Sequence, residues 1–393
     1  MKLTVRPSYI KKYKEGFPLI NEQSVERIPQ MDEGTIVELV NEKGQFLCKG
    51  YYGIQNKGRG WVLTTNQHEQ IDQAFFMEKL KTAVNHRQKL FNDPETTAFR
   101  IFNGEGDGVG GVTIDYYDTY YCISWYSEGI YQFKQEIITA LEQCLPVKAI
   151  YEKKRFNHKG QYVEDDDFVC GEKPTFPIIV KENGINYPIY LNDGAMVGVF
   201  LDQREVRKKI RDQYANGKTI LNTFSYTGAF SAAAALGGAV KTTSVDLANR
   251  SKAKTIEMFS VNGIDYEEQD IIVEDVFKYF KYAVRKKVTF DLVILDPPSF
   301  ARSKKHTFSV AKDYASLLEE AISITNQGGV IVASSNASNV SMKKFKTFVA
   351  KAFSSANEKY KIIEEFTLPH DFKTNSSYQE SNYLKVLFIR KNT

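Results

Sequence analysis

From about residue 191 onward, short runs with the character of strands alternate with helical stretches. TILNTFS, KTTSVD, DIIVEDVF, FDLVILD and GGVIVASSN read as strands, the third running into a turn, while AFSAAAALGG, RSKAKTIEMFSVNG and YASLLEEAISIT read as helices among them. Strands joined by helical crossovers form a parallel sheet with helices on both faces. Such sheets offer ligands a crevice beyond the carboxyl ends of their strands. LPHDFKTN at 368–375, with the strand YLKVLFIRK after it, is expected to close the sheet as an antiparallel edge.

The chain ahead of this region reads otherwise. TIVELV, the turn Asn41-Glu42-Lys43-Gly44, QFLCKGYY and WVLTT are short strands separated by turns, as in a small barrel or sandwich. Phe75, Phe76, Leu80, Val84 and Leu90 fall near one helical stripe, which Asn92-Asp93-Pro94 ends. Strand-like runs at AFRIF, GVTIDYYDTYYCISWY and KAIYEKK then surround a helical segment from Tyr131 to Cys144. NGEGDGVGG at 103–111 is rich in glycine, but no helix follows it, so it reads as a turn and not as a phosphate cradle. The expected fold class is multi-domain α/β: an N-terminal β-barrel over 1–72, a linker helix and central α+β segment over 73–190, and a C-terminal Rossmann-like, doubly wound domain over 191–393.

With 393 residues there is room for two or three domains. The formal net charge of +4 is too slight to hold nucleic acid by bulk charge, so any such site must be local. The aromatic residues, 13% of the chain, fall mostly in strand-like runs and read first as core. Cys48, Cys122, Cys144 and Cys170 form no CxxC pair, which points to a reducing, cytoplasmic compartment. The N-terminal stretch lacks the apolar region of a signal peptide, and no run approaches the ~20 apolar residues of a membrane span. The five histidines are scattered without ligand spacing, so no metal is expected.

Chemistry gathers at the strand ends. Asn222-Thr223-Phe224-Ser225-Tyr226-Thr227-Gly228 is a turn of small and polar residues that lets a ligand approach backbone N–H groups. Asp246 closes the next strand, where a carboxylate can accept both hydroxyls of a ribose. Glu274-Asp275 follows the third, where an acid can bind an adenine amino group. Asp296-Pro297-Pro298-Ser299-Phe300 ends the fourth. Any one of these acids alone is read more simply as a cap or turn former. Four such strand ends, the 222–228 turn and three that carry acids, in order within one α/β domain point to a nucleoside ligand. A nicotinamide enzyme is disfavoured, because the turn lacks G-x-G-x-x-G.

On these residues the C-terminal region resembles the class I S-adenosylmethionine-dependent methyltransferases. VGVFLDQREVR at 197–207 is similar to the F-L-D-x-R signature of bacterial 23S rRNA methyltransferases, and the whole chain resembles the rRNA large-subunit methyltransferase I family, with an N-terminal PUA-like domain. The resemblance implies S-adenosyl-L-methionine as cofactor and S-adenosyl-L-homocysteine as product. It implies a cofactor site of Gln203, Arg204, Asn222, Phe224, Ser225, Tyr226, Thr227, Gly228, Asp246, Asp275 and Asp296. Gln203 and Arg204 would hold the methionine carboxylate side or brace the turn, with a structural ion pair the other reading of Arg204. The implied partner is RNA, 23S rRNA or a large-subunit precursor, with no membrane and no metal; a homodimer is left open.

The acceptor atom departs from the family's name. Cytosine C5 is a poor nucleophile, and its methylation needs a cysteine thiolate to add to the neighbouring carbon first. Every cysteine lies at or before Cys170, and the strand end where the family has Ser-Cys-Ser reads Ser334-Ser335-Asn336. VIVASSNASNVSM and DPPSFARSKK are closer to the guanine-N7 half of the bifunctional 23S rRNA methyltransferases. A base nitrogen, guanine N7 first, is therefore expected as the acceptor, with Asp296, Pro297 and Asn336 at the reacting groups; Asn336 reads equally as a turn residue. Phe300 is expected to stack on an extruded base or to pack in the core, and Arg302, Lys304, Lys305 and Lys343 to clamp RNA phosphates. The alternatives are a cytosine-C5 23S rRNA methyltransferase and a non-catalytic RNA-binding assembly factor.

Overall fold

The computed structural model describes residues 1–156, 167–194, 196–302 and 307–392. They divide into two compact units, the first of Met1–Lys181, Ile189–Val197 and His370–Ser381, the second of Glu182–Pro188, Gly198–Pro369 and Asn382–Thr393.

The first unit holds two five-stranded sheets. One takes strands Lys2–Thr4, Ile36–Val40, Phe46–Gln55, Gly58–Thr64 and Leu19–Ile20 in that spatial order. The other orders Phe168–Gly171, Ala149–Lys154, Tyr120–Trp125, Val112–Tyr117 and Ala98–Asn103. One apolar core takes Tyr51, Trp61 and Leu63 from the first sheet and Phe99, Ile114 and Ile123 from the second, and another gathers Leu3, Tyr13, Val37 and Leu39. The helix Gln73–His86 begins where the Asp72 carboxylate caps Phe75 N at 3.1 Å, and it buries Phe75, Phe76, Leu80 and Ala83 in that core. The helix Pro7–Lys14 is absent from the sequence reading; with Tyr13 its one buried residue, it leaves no apolar stripe to see. In the glycine-rich loop, a Cβ on Gly110 would lie 2.2 Å from the Trp61 ring, so close packing explains that glycine.

The second unit is a seven-stranded sheet. Its strands are β1 (Thr219–Thr223), β2 (Lys241–Asp246), β3 (Asp270–Val273), β4 (Phe290–Leu295), β5 (Thr325–Ser335), β6 (Lys359–Phe366) and β7 (Lys385–Asn392). They lie in the order β3-β2-β1-β4-β5-β7-β6. The first five pair in parallel, and β7 runs antiparallel to both β5 and β6. Helices α1 (Ala229–Leu236), α2 (Asn249–Ser260), α3 (Val276–Lys286), α4 (Val310–Ile324) and α5 (Met342–Ser355) connect them. Alternate residues of β4 and β5 feed two cores: Val293, Leu295 and Ile331 enter one, Leu292, Ile294 and Val332 the other.

Two expectations change here. β7 is not the edge: its Lys385–Ile389 run is buried between β5 and β6, and the edge is β6, whose KYKIIEEF leaves charged groups exposed. LPHDFKTN does not extend the sheet, because 370–381 belongs to the first unit, where Asp371 accepts from Arg100 N at 3.0 Å. The buried Asp371 is thereby structural within its unit. The helices α3 and α5 are also additions to the sequence reading.

Candidate active site

The register brings the carboxyl ends of β1 to β5 to one edge. Thr223 pairs with Val245 and with Leu295, Asp246 with Val273, and Leu295 with Ala333. After Thr223 the backbone turns through three left-handed residues, Phe224 (φ 54°), Tyr226 (φ 51°) and Gly228 (φ 77°). For the two aromatic residues this costs about 1–2 kcal/mol each, which the surroundings must offset. They do so by fixing the turn's polar groups. Ser225 N donates to Val245 O at 3.1 Å, Tyr226 N to the Asp246 carboxylate at 2.9 Å, Thr227 Oγ1 to Gly198 O at 2.8 Å, and Gly228 N to Ser225 O at 2.8 Å.

Gly228 opens α1 without a side-chain cap. A Cβ there would sit 2.6 Å from Thr255 Cγ2 on α2. Gly228→Ala adds that clash to the left-handed penalty, and it is expected to cost at least about 2 kcal/mol. A thermal melt should show the loss, and titration with S-adenosylmethionine should show weaker binding; an unchanged melt would contradict this account.

Asp246 is half-buried at the end of β2. Its Oδ2 accepts from Tyr226 N and its Oδ1 from Ala248 N, both at 2.9 Å. Each oxygen keeps a second acceptor site, so the carboxylate can still take two vicinal hydroxyls. Glu274 N donates to Asp246 O at 3.0 Å. Asp275 caps α3 through Oδ1, which accepts from Lys278 N at 3.1 Å. The simpler reading of Asp275 as a helix cap thus holds geometrically, and it places the acid on the same edge as Asp246.

The segment before the sheet reaches the fourth strand end. Gln203, buried in the turn Leu201–Gln203, donates from Nε2 to Asp296 Oδ1 at 3.2 Å and to Ser334 Oγ at 2.7 Å. It therefore bridges the ends of β4 and β5. Burial is the largest influence on the Asp296 carboxyl and pushes its pKa up to about 6. The Ser334 and Gln203 hydrogen bonds and the Arg207 charge pull it down, while the nearby Asp202 adds to the rise. Arg204 is buried and pairs with Glu205 at 3.1 Å. Arg207, which the sequence reading passed over, makes a two-pronged buried pair with Glu182, at 2.8 and 2.6 Å, and donates to Phe200 O at 2.8 Å.

On the other side of Asp296, Pro297 is buried and Ser299 Oγ donates to Asn336 Oδ1, joining the loops after β4 and β5. Phe300 is 58% exposed, so the core alternative for it fails. Lys343 is exposed at the start of α5, whereas Lys346, in the same basic run, is paired with Glu365. Lys304 and Lys305 lie outside the described residues, and of Arg302 only the backbone is described, in the short strand Phe300–Arg302.

The chain matches the family model of S-adenosylmethionine-dependent methyltransferases over residues 100–384, and that of PUA-like domains over 3–65. It is 64% identical over 392 residues to YwbD of Bacillus subtilis (strain 168), a protein provisionally named a ribosomal RNA large subunit methyltransferase, with 99% of each chain covered. It is 32% identical to the ribosomal RNA large subunit methyltransferase I of Alteromonas mediterranea, over 98% of this chain and 97% of that one. The chain belongs to the ribosomal RNA large subunit methyltransferase I family. Among solved structures it is similar to SMU.776, provisionally named a methyltransferase and complexed with SAH, at TM-score 0.93 and 39% identity, over 99% of this chain and 100% of that one. This is an S-adenosylmethionine-dependent methyltransferase.

The methyltransferase's own residues fit that cofactor. Gln203 Oε1 is buried with no hydrogen-bond partner although its Nε2 is engaged, which leaves an acceptor beside the Asp296 strand end. The backbone turn at 224–228, the Asp246 carboxylate and Asp275 share the same edge. Asn222 is set deeper than its place in the motif suggests. It is buried within β1 and donates from Nδ2 to Ser231 Oγ at 3.0 Å, inside the sheet-to-α1 layer.

Proposed function

We propose that this methyltransferase transfers a methyl group to a base nitrogen of 23S ribosomal RNA, guanine N7 first, without a covalent enzyme adduct. The observation that carries the acceptor is the placement of the thiols. Cys48, Cys122, Cys144 and Cys170 all belong to the first unit, and burial is the first cause that raises each of them, Cys48 and Cys122 to about 12. A C5 route needs a thiolate at the base, and the strand end facing it carries Ser334, Ser335 and Asn336 instead.

When bound, S-adenosyl-L-methionine supplies an electrophilic methyl group on a sulfonium, with S-adenosyl-L-homocysteine as the product. Asp246 would accept from its ribose hydroxyls, Asp275 from its adenine amino group, and the N–H groups of the 224–228 turn would line its path. A purine N7 has an available lone pair, so alignment is the main requirement, worth up to about 7–11 kcal/mol. Asp296, when ionised, would balance the positive charge that develops on the ring. Asn336 would offer a donor and an acceptor to a base edge, Phe300 would stack on the extruded base, and Lys343 with Arg302, Lys304 and Lys305 would hold phosphates. A cytoplasmic setting belongs to the same reading.

Modified-nucleoside mass spectrometry of 23S rRNA, from cells with and without the gene, tests this. The expected result is loss of 7-methylguanosine at a single position in the deletion strain. Loss of 5-methylcytidine alone would overturn it.

A further inference from the structure

The helix α3 has a face that the proposed site does not use. Val276, Tyr279, Phe280 and Ala283 form its buried stripe, and Lys278, Lys281, Tyr282 and Arg285 form an exposed one at the same helical spacing, continued by Lys286 and Lys287. Residues 276–288 hold five cations and no acid, more than the whole chain's formal +4. Lys278 pairs with Glu274 at 3.1 Å, and among the described residues Lys281, Arg285, Lys286 and Lys287 make no ion pair.

The helix dipole explains only part of this. Arg285 and Lys286 in the last turn, with Lys287 at the C-cap, complement the partial negative charge of the C-terminus. Lys278 stands three residues past the cap Asp275, where a cation is disfavoured, and Lys281 gains nothing from the dipole in mid-helix. Solubility would be served as well by mixed charges. Tyr282, 44% exposed, lies within the cationic row. A row of cations, unpaired apart from Lys278, around an exposed ring is suited to a phosphate backbone and an unstacked base.

We propose that the exposed face of α3 is a second RNA-contact surface, which grips phosphates of the strand flanking the modified nucleotide. This rests on the ribosomal RNA reading above. The helix has eleven residues, a length of about 16 Å, and starts at Asp275 on the edge that carries Asp246 and Asp296. The stripe therefore leads away from the reacting groups toward the opposite edge of the sheet, and RNA held on it lies several nucleotides from the target base.

The test compares Lys281→Glu/Arg285→Glu with the neutral Lys281→Gln/Arg285→Gln. Affinity for a 23S rRNA fragment is measured by filter binding over a salt series, beside S-adenosylmethionine titration and a thermal melt as controls. Charge reversal should weaken RNA binding about tenfold or more near 0.15 M salt and flatten the salt slope by about 1.4–1.8, or 0.7–0.9 for each lost phosphate contact. The neutral variant should fall between, with cofactor affinity and melting as in the wild type. Unchanged RNA affinity and slope in both variants would overturn the proposal. So would a loss confined to ribosomal particles with naked RNA binding intact, which would assign the helix to a protein partner. Because binding is read without turnover, a chain that methylated a different base would fail the nucleoside mapping and still pass this test.

Discussion

Asp296→Asn is expected to lower kcat by roughly 100- to 1,000-fold, with S-adenosylmethionine affinity changed only a few-fold, because the proposed role of Asp296 is a preorganised charge at the reacting atoms, which asparagine removes while keeping the shape. Burial, opposed by the Gln203 and Ser334 hydrogen bonds, holds this acid at about 6. An acid raised in this way is ionised only above its higher pKa. The wild-type rate should therefore climb through pH 6 to a plateau, and the variant's residual rate should be flat across that window. The same burial makes an opposite forecast for stability. The folded state disfavours the charged form, so a penalty grows as pH rises from the ordinary carboxylate pKa toward 6 and is fully present at pH 7. Asparagine carries no such penalty, and the variant should melt higher than the wild type at neutral pH. A variant with wild-type kcat, or one that keeps the inflection near 6, would remove Asp296 from the reaction.

The strand ends were legible because chemistry and topology coincide there. Asp296 follows an apolar run and Asp246 closes a short β-branched one, and a parallel sheet places such termini along one edge. The helix α3 escaped notice although Val276, Tyr279, Phe280 and Ala283 carry the helical period, since its aromatic residues share the strand's preference and the run follows β3 after only two residues. Gln203 was placed among the cofactor residues, but its bridge from Asp296 to Ser334 spans more than ninety residues, and no local pattern reveals a contact at that separation. The interior place of β7 is hidden for a related reason. Its apolar run marks it as a strand, but an interior place requires β6 as an outer neighbour, and KYKIIEEF alternates polar and apolar residues only over its first four positions.

Arg207→Met is expected to destabilise the second unit by about 3–5 kcal/mol, the usual cost of leaving one member of a buried ion pair without its partner. Arg207 meets Glu182 through both prongs of its guanidinium, lies 5.6 Å from the Tyr187 ring centroid and 5.7 Å from that of Phe230, and is enclosed with Glu182. Urea unfolding should show a lower midpoint for Arg207→Met, and also for Glu182→Leu. The double variant should be more stable than either single one, because a buried pair replaced by apolar residues of similar volume leaves no uncompensated charge. Function should not return with stability. Arg207 also donates to Phe200 O, at the start of the turn that aims Gln203 at Asp296, and an apolar replacement cannot make that bond. The double variant should thus fold yet turn over more slowly than the wild type, and full recovery of kcat would show that Arg207 serves folding alone.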